Sequence, residues 1–176
     1  MRWHLTWLWS LVAVSIGTGK DLVFSGFDNE LKAGHERVWQ GKGVSMVRGL
    51  NRRALYCKGD GFVMLADDVG FKSEEGTIDF WVHTDWDGHD GLAHGFCALG
   101  KESGVRLAKL RDNRLTLIWQ PIREKPPLRF GFDISKDWPA RQWRYVAVTW
   151  KENTYSIYVD GEKRNAVVPD QPMTAL

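Results

Sequence analysis

The chain has 176 residues and a formal net charge of +2, and aromatic residues make up 12% of it, including 10 tryptophans. So many large apolar side chains exclude a disordered or fibrous protein, because they must be buried. The balanced charge, with no tract of Lys and Arg, argues against a nucleic-acid-binding protein, and the length suits a single domain with a substantial core.

Residues 1–19 have the layout of a secretory signal peptide. Arg2 and the free amine give a positive start, an uncharged apolar run follows at 5–16, and the small residue Gly19 ends the segment. The run is shorter than the ~20 residues of an ordinary spanning helix, and no other segment is long and apolar enough to cross a membrane. A buried N-terminal helix and an uncleaved anchor are the alternatives. The sequence predicts export, and a domain that covers residues 20–176.

Export into an oxidising compartment allows the two cysteines, Cys57 and Cys97, to form a disulfide. Each lies in a strand-like run, at residues 54–57 and 96–99. Two separate, small buried thiols are the alternative, and the sequence leaves both open. Zinc is not expected, because two isolated cysteines lack the paired ligand spacing of a structural site.

After the leader, short runs of alternating apolar and polar residues recur between Gly, Asp and Asn. These runs predict strands at 77–83, 105–110, 115–119, 143–150 and 155–159. Alternation in the first run puts Ile78, Phe80 and Val82 on one face. Asp160 and Gly161 follow the last run and favour a two-residue hairpin turn, since both turn positions need positive φ.

The spacing of these strands predicts an all-β, antiparallel sandwich. The second and third strands are expected to form a hairpin over the turn at 111–113. Four prolines between residues 120 and 140 predict a long loop that encloses one short strand near Phe130.

Four segments together resemble laminin-G-like, concanavalin A-like jelly-roll domains. Residues 75–82 (EGTIDFWV) are similar to that family's EGTIEFWV strand, residues 142–150 (QWRYVAVTW) to its QWHHVAVTW strand, and residues 158–161 (YVDG) to the hairpin that follows. Residues 54–55 with the turn at 59–61 resemble an earlier strand and turn. The order and spacing agree, and the resemblance covers residues 45–168.

This resemblance implies two curved antiparallel sheets packed face to face, used outside the cell to bind carbohydrate or protein, often with calcium. In the family, a further strand pair follows the hairpin and completes the sheets. Here nothing strand-like follows between Pro169 and Leu176, which predicts that the last strands, and any calcium ligands on them, are missing. A sheet edge left open in this way is an association hazard.

Glycanases share this fold, so catalysis must be tested against the sequence. They resemble one another in a Glu-x-Asp-x-Glu or Glu-x-Asp-x-x-Glu strand, which this chain lacks. Glu75 and Asp79 share a strand face but lie ~13 Å apart at strand rise, whereas a retaining glycosidase needs carboxyls about 5–5.5 Å apart. The sequence therefore predicts that the protein is not an enzyme.

The densest polar cluster is the predicted loop after residue 83. Asp85, Asp87 and Asp90 stand near one turn there, and three carboxylates suit calcium, the one cofactor that the sequence suggests. The alternative is a solvated loop in which Asp, Gly and His supply turn chemistry.

Sugar binding uses an exposed aromatic ring that stacks on a pyranose face beside polar groups that bond its hydroxyls. Trp86 fits best, because it lies among the three acidic residues of this loop, and Trp138 is the second candidate. For each, the alternative is an indole folded back over the sandwich edge. The remaining strand tryptophans are expected in the sandwich and on its faces: Trp81, Trp119, Trp143 and Trp150.

The sequence thus predicts a secreted or cell-envelope, non-catalytic module that binds a glycan or an extracellular protein through its loops. A glycanase-like enzyme of the same fold and a structural segment of a larger cell-surface protein are the alternatives. No nucleic-acid partner is expected, and no membrane contact beyond the leader. The identity of the ligand and the oligomeric state are not predicted.

Overall fold

The computed structural model describes residues 9–17, 21–24, 32–33, 36–37, 39–40, 43–50, 53–58, 63–64, 75–99, 104–120 and 126–170. These residues form strands, turns and bends. No helix long and apolar enough to cross a membrane occurs among them.

The strands follow one another along the chain in this order. The first eight are β1 (Trp9–Gly17), β2 (Asp21–Phe24), β3 (Lys32–Ala33), β4 (Glu36–Arg37), β5 (Trp39–Gln40), β6 (Val44–Arg48), β7 (Arg53–Cys57) and β8 (Val63–Met64). The next eight are β9 (Glu75–His83), β10 (His94–Leu99), β11 (Gly104–Lys109), β12 (Arg114–Gln120), β13 (Leu128–Asp133), β14 (Trp143–Lys151), β15 (Thr154–Val159) and β16 (Glu162–Val167).

Two antiparallel sheets contain most of these strands. The large sheet has the order β16-β15-β14-β9-β1-β7-β6, with β2 paired to β1, and the small sheet has the order β10-β11-β12-β13. Two short pairs, β3 with β4 and β5 with β8, complete the described pairings. The predicted all-β antiparallel sandwich is confirmed.

The turns between sequential strands explain why the chain reverses where it does. Asp160 and Gly161 have φ values of 53° and 84° between β15 and β16, which confirms the predicted two-residue turn. The predicted hairpin of β11 and β12 is present, and the short strand expected near Phe130 is β13. Sequence reasoning missed the turn at Glu152 and Asn153, where φ values of 49° and 60° connect β14 to β15.

The core lies between the two sheets. Ile78, Phe80 and Val82 of β9 are buried, as the alternation predicts. The neighbouring strands β14 and β15 contribute alternate side chains, and the small sheet contributes its own inward positions on β11 and β12. The main buried residues from these four strands are Val146, Val148, Trp150, Tyr155, Ile157, Val159, Val105, Leu107, Leu115, Leu117 and Trp119.

Trp119 joins the sheets at one end of this core. Its ring, from the small sheet, forms T-shaped pairs with Trp150 and Tyr155 in the large sheet, at centroid distances of 5.3 and 4.9 Å. The Trp150 indole in turn lies directly over Gly76, where an added Cβ would stand 2.3 Å from its Cζ2 atom. Glycine at this position therefore makes the space that the indole occupies.

Several sequence predictions fall partly or wholly on undescribed residues. Residues 1–8 and 18–20 lie outside the description, while β1 falls inside the predicted leader and pairs with β7 and β9. Cleavage of the leader stays a prediction. The turn at 59–61 and the last residues, 171–176, also lie outside the described ranges.

Both cysteines are free thiols in this structure, so the disulfide that the sequence allowed is not formed in it. Cys57 is buried at the end of β7, and Cys97 is partly buried in β10. Burial raises the pKa of Cys57 to about 11 and that of Cys97 to about 12. Few of these thiols are ionised at neutral pH, which makes them poor nucleophiles.

Replacing Trp119 tests the contact between the sheets. Trp119→Ala should lower the free energy of unfolding by about 3–5 kcal/mol, because it leaves a cavity beside Trp150 and Tyr155. Urea denaturation followed by circular dichroism measures the loss. The control is Ile118→Ala, on the opposite face of the same strand and only partly buried, with an expected cost of about 1 kcal/mol. Equal losses in the two variants would contradict this account of the core.

Candidate functional site

The connection between β9 and β10, residues 84–93, is called the acidic loop here. Its turns are made by its own aspartates: Asp87 Oδ1 accepts a hydrogen bond from the backbone N–H of His89 at 3.1 Å, and Asp90 Oδ1 accepts one from Leu92 at 3.0 Å. Short polar side chains that bond the backbone two residues on are typical of turns. The turn chemistry that the sequence left as an alternative is therefore present.

The acidic loop is held against the segment that follows β13. The Gly88 N–H donates to the carbonyl of Trp138 at 2.7 Å, and the Arg141 N–H donates to the carbonyl of Thr84 at 2.7 Å. Gly88 approaches so closely that an added Cβ would stand 1.9 Å from the carbonyl oxygen of Ile134. The loop is thus docked by its backbone.

Trp138, a predicted sugar-stacking residue, belongs to the core. Its side chain is 2% exposed, and its indole N–H donates to Thr84 Oγ1 at 3.1 Å. A ring without an exposed face cannot stack on a sugar, so this prediction is wrong. The loop packs inward here because Thr84 offers the indole N–H a buried acceptor.

Trp86 is half-buried, and other rings surround much of it. It stacks on His94 with a centroid distance of 4.1 Å and on Trp138 at 6.1 Å, and it forms a T-shaped pair with Phe96 at 5.8 Å. Its Nε1 atom is buried without a hydrogen-bond partner among the described residues. The structure places the ring at the margin of the core instead of in a free loop, and a role of Trp86 in ligand binding stays a prediction.

Below this ring stack lies a fully buried lysine. Lys109 Nζ donates to Asp90 Oδ1 at 2.5 Å, to the carbonyl of Leu92 at 3.0 Å and to Asn113 Oδ1 at 2.9 Å. The other carboxylate oxygen, Asp90 Oδ2, bonds His94 Nε2 at 2.5 Å. We call these residues the Lys109 cluster. It ties the acidic loop to the small sheet.

Burial acts to raise the pKa of Asp90, but hydrogen bonds from Lys109, the Leu92 N–H and His94 outweigh it and hold this pKa below its usual range. The carboxylate is therefore ionised at neutral pH. Sequence reasoning missed Lys109, although side chains alternate along a strand and Lys109 therefore lies on the same inward face of β11 as Val105 and Leu107. A charged residue at an inward position indicates a buried ion pair.

The three predicted calcium ligands are not brought together. Asp85 is exposed, Asp87 interacts with His89, and both oxygens of Asp90 are engaged within the Lys109 cluster. No group of three His, Cys, Asp or Glu side chains that could hold a metal ion occurs in the described part of the chain. The residues present do not fit a calcium ion, because the ammonium of Lys109 already neutralises the carboxylate of Asp90, the least exposed of the three.

A second surface carries aromatic rings on the outer face of the large sheet. Trp81 and His83 alternate with the buried residues of β9, and the register of β14 puts Tyr145 and Trp143 directly beside them. Trp81 and Tyr145 have ring centroids 5.3 Å apart, and those of His83 and Trp143 are 5.1 Å apart. All four side chains are half-buried. We call these four residues the aromatic platform.

Asp79 lies beside the aromatic platform on the same face. The Tyr145 hydroxyl donates to Asp79 Oδ2, and burial, followed by this hydrogen bond, raises the pKa of Tyr145. Asp79 Oδ1 is buried and has no hydrogen-bond partner in the part of the chain described. An acceptor left in this way is costly unless a further donor reaches it.

Comparison with known proteins identifies the family. The laminin G model of the concanavalin A-like lectin/glucanases superfamily matches residues 58–175. The chain belongs to the concanavalin A-like lectin/glucanase superfamily. No curated protein and no solved structure matches it significantly.

Membership in the superfamily confirms the resemblance read from the four sequence segments. The matched range contains the acidic loop, the Lys109 cluster, the aromatic platform and Asp79. Sequence reasoning had assigned Trp81 and Trp143 to the sandwich faces without recognising the platform, because the register of β14 against β9 is a long-range feature.

The lowered pKa of Asp90 makes a prediction about pH. A carboxyl whose pKa is lower in the folded state than in the unfolded state stabilises the folded protein at pH values above its unfolded-state pKa, about 3.9. This stabilisation is lost as the pH falls through the folded-state pKa. The unfolding free energy of the wild type should therefore fall more steeply below about pH 5 than that of Asp90→Asn. Urea denaturation at a series of pH values measures both slopes.

The matched control is Asp85→Asn, which removes an exposed carboxylate from the same loop. Its acid slope should follow that of the wild type. Parallel curves for the wild type and Asp90→Asn would show that the Lys109 cluster adds nothing to acid sensitivity.

Proposed function

We propose that the protein is a non-catalytic recognition module that binds carbohydrate on the outer face of its large sheet, at the aromatic platform. The observation that carries this proposal is the pairing of two partly exposed indoles with two further rings beside an unsatisfied carboxylate oxygen, Asp79 Oδ1. The name of the superfamily includes lectins and glucanases, which also supports a carbohydrate ligand.

The chemistry of the platform suits a pyranose ring. Indole faces bind the C–H face of a sugar, and a carboxylate oxygen accepts a hydrogen bond from its hydroxyl. Asp79 Oδ2 accepts a hydrogen bond from Tyr145, and Oδ1 has no partner among the described residues but is buried, so a ligand hydroxyl reaches it only when neighbouring side chains move aside. A sugar hydroxyl at this position would remove the cost of an unsatisfied buried acceptor.

A binding role is favoured over catalysis by the placement of the acids. Along β9 and β14, the outward positions hold two carboxylates, Glu75 and Asp79, which are four residues apart on one strand. Their separation of ~13 Å exceeds both the retaining and the inverting spacing of glycosidases. Glu75 is also exposed and lies 3.5 Å from Lys151 Nζ. We therefore propose no hydrolytic step.

We further propose that the protein acts outside the cell. The leader-like composition of residues 1–19 supports this. Intact mass spectrometry of the protein recovered from a secreting host should give the mass of a chain that begins near Lys20. A mass that includes residues 1–19 would contradict the proposed export signal and would leave β1 in the large sheet.

The aromatic platform can be tested by removing one ring. Trp81→Ala should weaken binding to the best glycan of an immobilised glycan array by about tenfold or more, as expected for an aromatic residue at the centre of a binding site. Isothermal titration calorimetry of that glycan measures the change. The melting temperature of each variant confirms that the fold is retained, and Trp81→Phe, which keeps a ring, should lose less affinity.

Two controls separate the platform from other surfaces. Thr149→Ala changes the same face of the sheet at a position ~13 Å along β14 from Tyr145, and it should leave the affinity for the glycan unchanged. Trp86→Ala tests the loop residue predicted from the sequence. Loss of binding with Trp86→Ala but not with Trp81→Ala would move the site to the acidic loop. An array without any bound glycan would favour a protein partner or a structural role, and release of reducing sugar would favour a glycanase.

A further inference from the structure

Lys109 is 0% exposed, and its ammonium nitrogen lies in a cradle of oxygen atoms. The three oxygens are a carboxylate oxygen of Asp90, the backbone carbonyl of Leu92 and the side-chain carbonyl of Asn113. The first two come from the acidic loop and the third from the turn between β11 and β12. One lysine therefore joins two separate connections at the same end of the sandwich.

The chemistry of this cradle is that of a hard cation site. An ammonium has three N–H donors, and here each is matched by one oxygen. A carboxylate, a backbone carbonyl and an amide carbonyl are also the oxygen ligands that proteins offer to calcium. The cradle thus combines the ligand types of a divalent-cation site with a cation that belongs to the chain itself.

The second oxygen of Asp90 is also engaged, by His94 Nε2 at 2.5 Å. An added divalent ion would have to displace Lys109 from a buried position and would meet its positive charge. With the ammonium in place, the negative charge of the cradle is already neutralised, so a metal ion would be repelled by Lys109 without a compensating attraction. This explains in physical terms why the described residues of the predicted calcium site do not fit a calcium ion.

We infer that the Lys109 ammonium is a built-in cation that takes the place of a metal ion in organising the acidic loop, and that the oxygen cradle becomes a divalent-cation site when this ammonium is removed. The loop is then ordered in the absence of calcium, unlike a loop that depends on a bound ion. Order of the acidic loop without calcium does not depend on whether the aromatic platform binds carbohydrate.

The wild-type protein gives the first test. Its melting temperature should be the same in EDTA and in 10 mM CaCl2, and equilibrium dialysis should detect no bound calcium. Calcium binding by the wild type that is lost in Asp90→Asn would overturn the inference.

Removal of the ammonium gives the second test. Lys109→Ala should melt at a lower temperature in EDTA, because the Asp90 carboxylate loses its buried partner. In 10 mM CaCl2 its melting temperature should rise by roughly 3–10 °C, the shift for a dissociation constant of about 0.1–1 mM in a domain of this size. The double variant Lys109→Ala with Asp90→Asn should not respond to calcium, and neither should Lys136→Ala, which removes an exposed lysine.

The outcome remains decisive if Lys109→Ala does not fold in EDTA. The variant is then refolded from urea with and without 10 mM CaCl2, and tryptophan fluorescence reports the native fraction. Recovery in calcium alone supports the inference. A Lys109→Ala chain that gains nothing from calcium, either in melting temperature or in refolding, overturns it.

Discussion

The nine-residue antiparallel register between β9 and β14 is the constraint on which the rest of the structure depends. It puts Phe80 beside Val146 on the inner face, and in the same step puts Trp81 beside Tyr145 on the outer face. A shift of one residue would exchange the two faces, because side chains alternate along a strand. The core and the aromatic platform are thus two results of one pairing, and the burial of the core fixes the geometry of the platform.

At the end of the sandwich that carries the acidic loop, electrostatic interactions and not strand register determine the structure. There, a buried charge organises the chain, since Lys109 is stable in the interior only while the acidic loop supplies Asp90 and the Leu92 carbonyl. The Trp86 ring then lies over the ammonium, with its centroid 5.8 Å from Lys109 Nζ, and stacks in turn on Trp138. Charge pairing therefore positions a loop in which apolar packing alone would leave many arrangements open.

The fold could be predicted largely from local patterns. Alternation along 77–83 placed Ile78, Phe80 and Val82 correctly, and Asp160 with Gly161 marked the turn by their backbone preference. The candidate site could be predicted only in part. Whether Trp138 faces solvent depends on Thr84, 54 residues away, and the ring pairs of the platform depend on strand register. Such long-range contacts cannot be predicted from a single local segment. The inward position of Lys109 could have been predicted, because it alternates with Val105 and Leu107 on the same face of β11.

The packing of Trp150 over Gly76 has a consequence for how the sequence can diverge in evolution. Because an added Cβ would overlap the indole, a side chain at position 76 and a large ring at position 150 exclude each other. The two positions, one at the start of β9 and one near the end of β14, can diverge only as a pair. In an alignment of relatives they are expected to covary, with larger residues at position 76 accompanied by smaller ones at position 150.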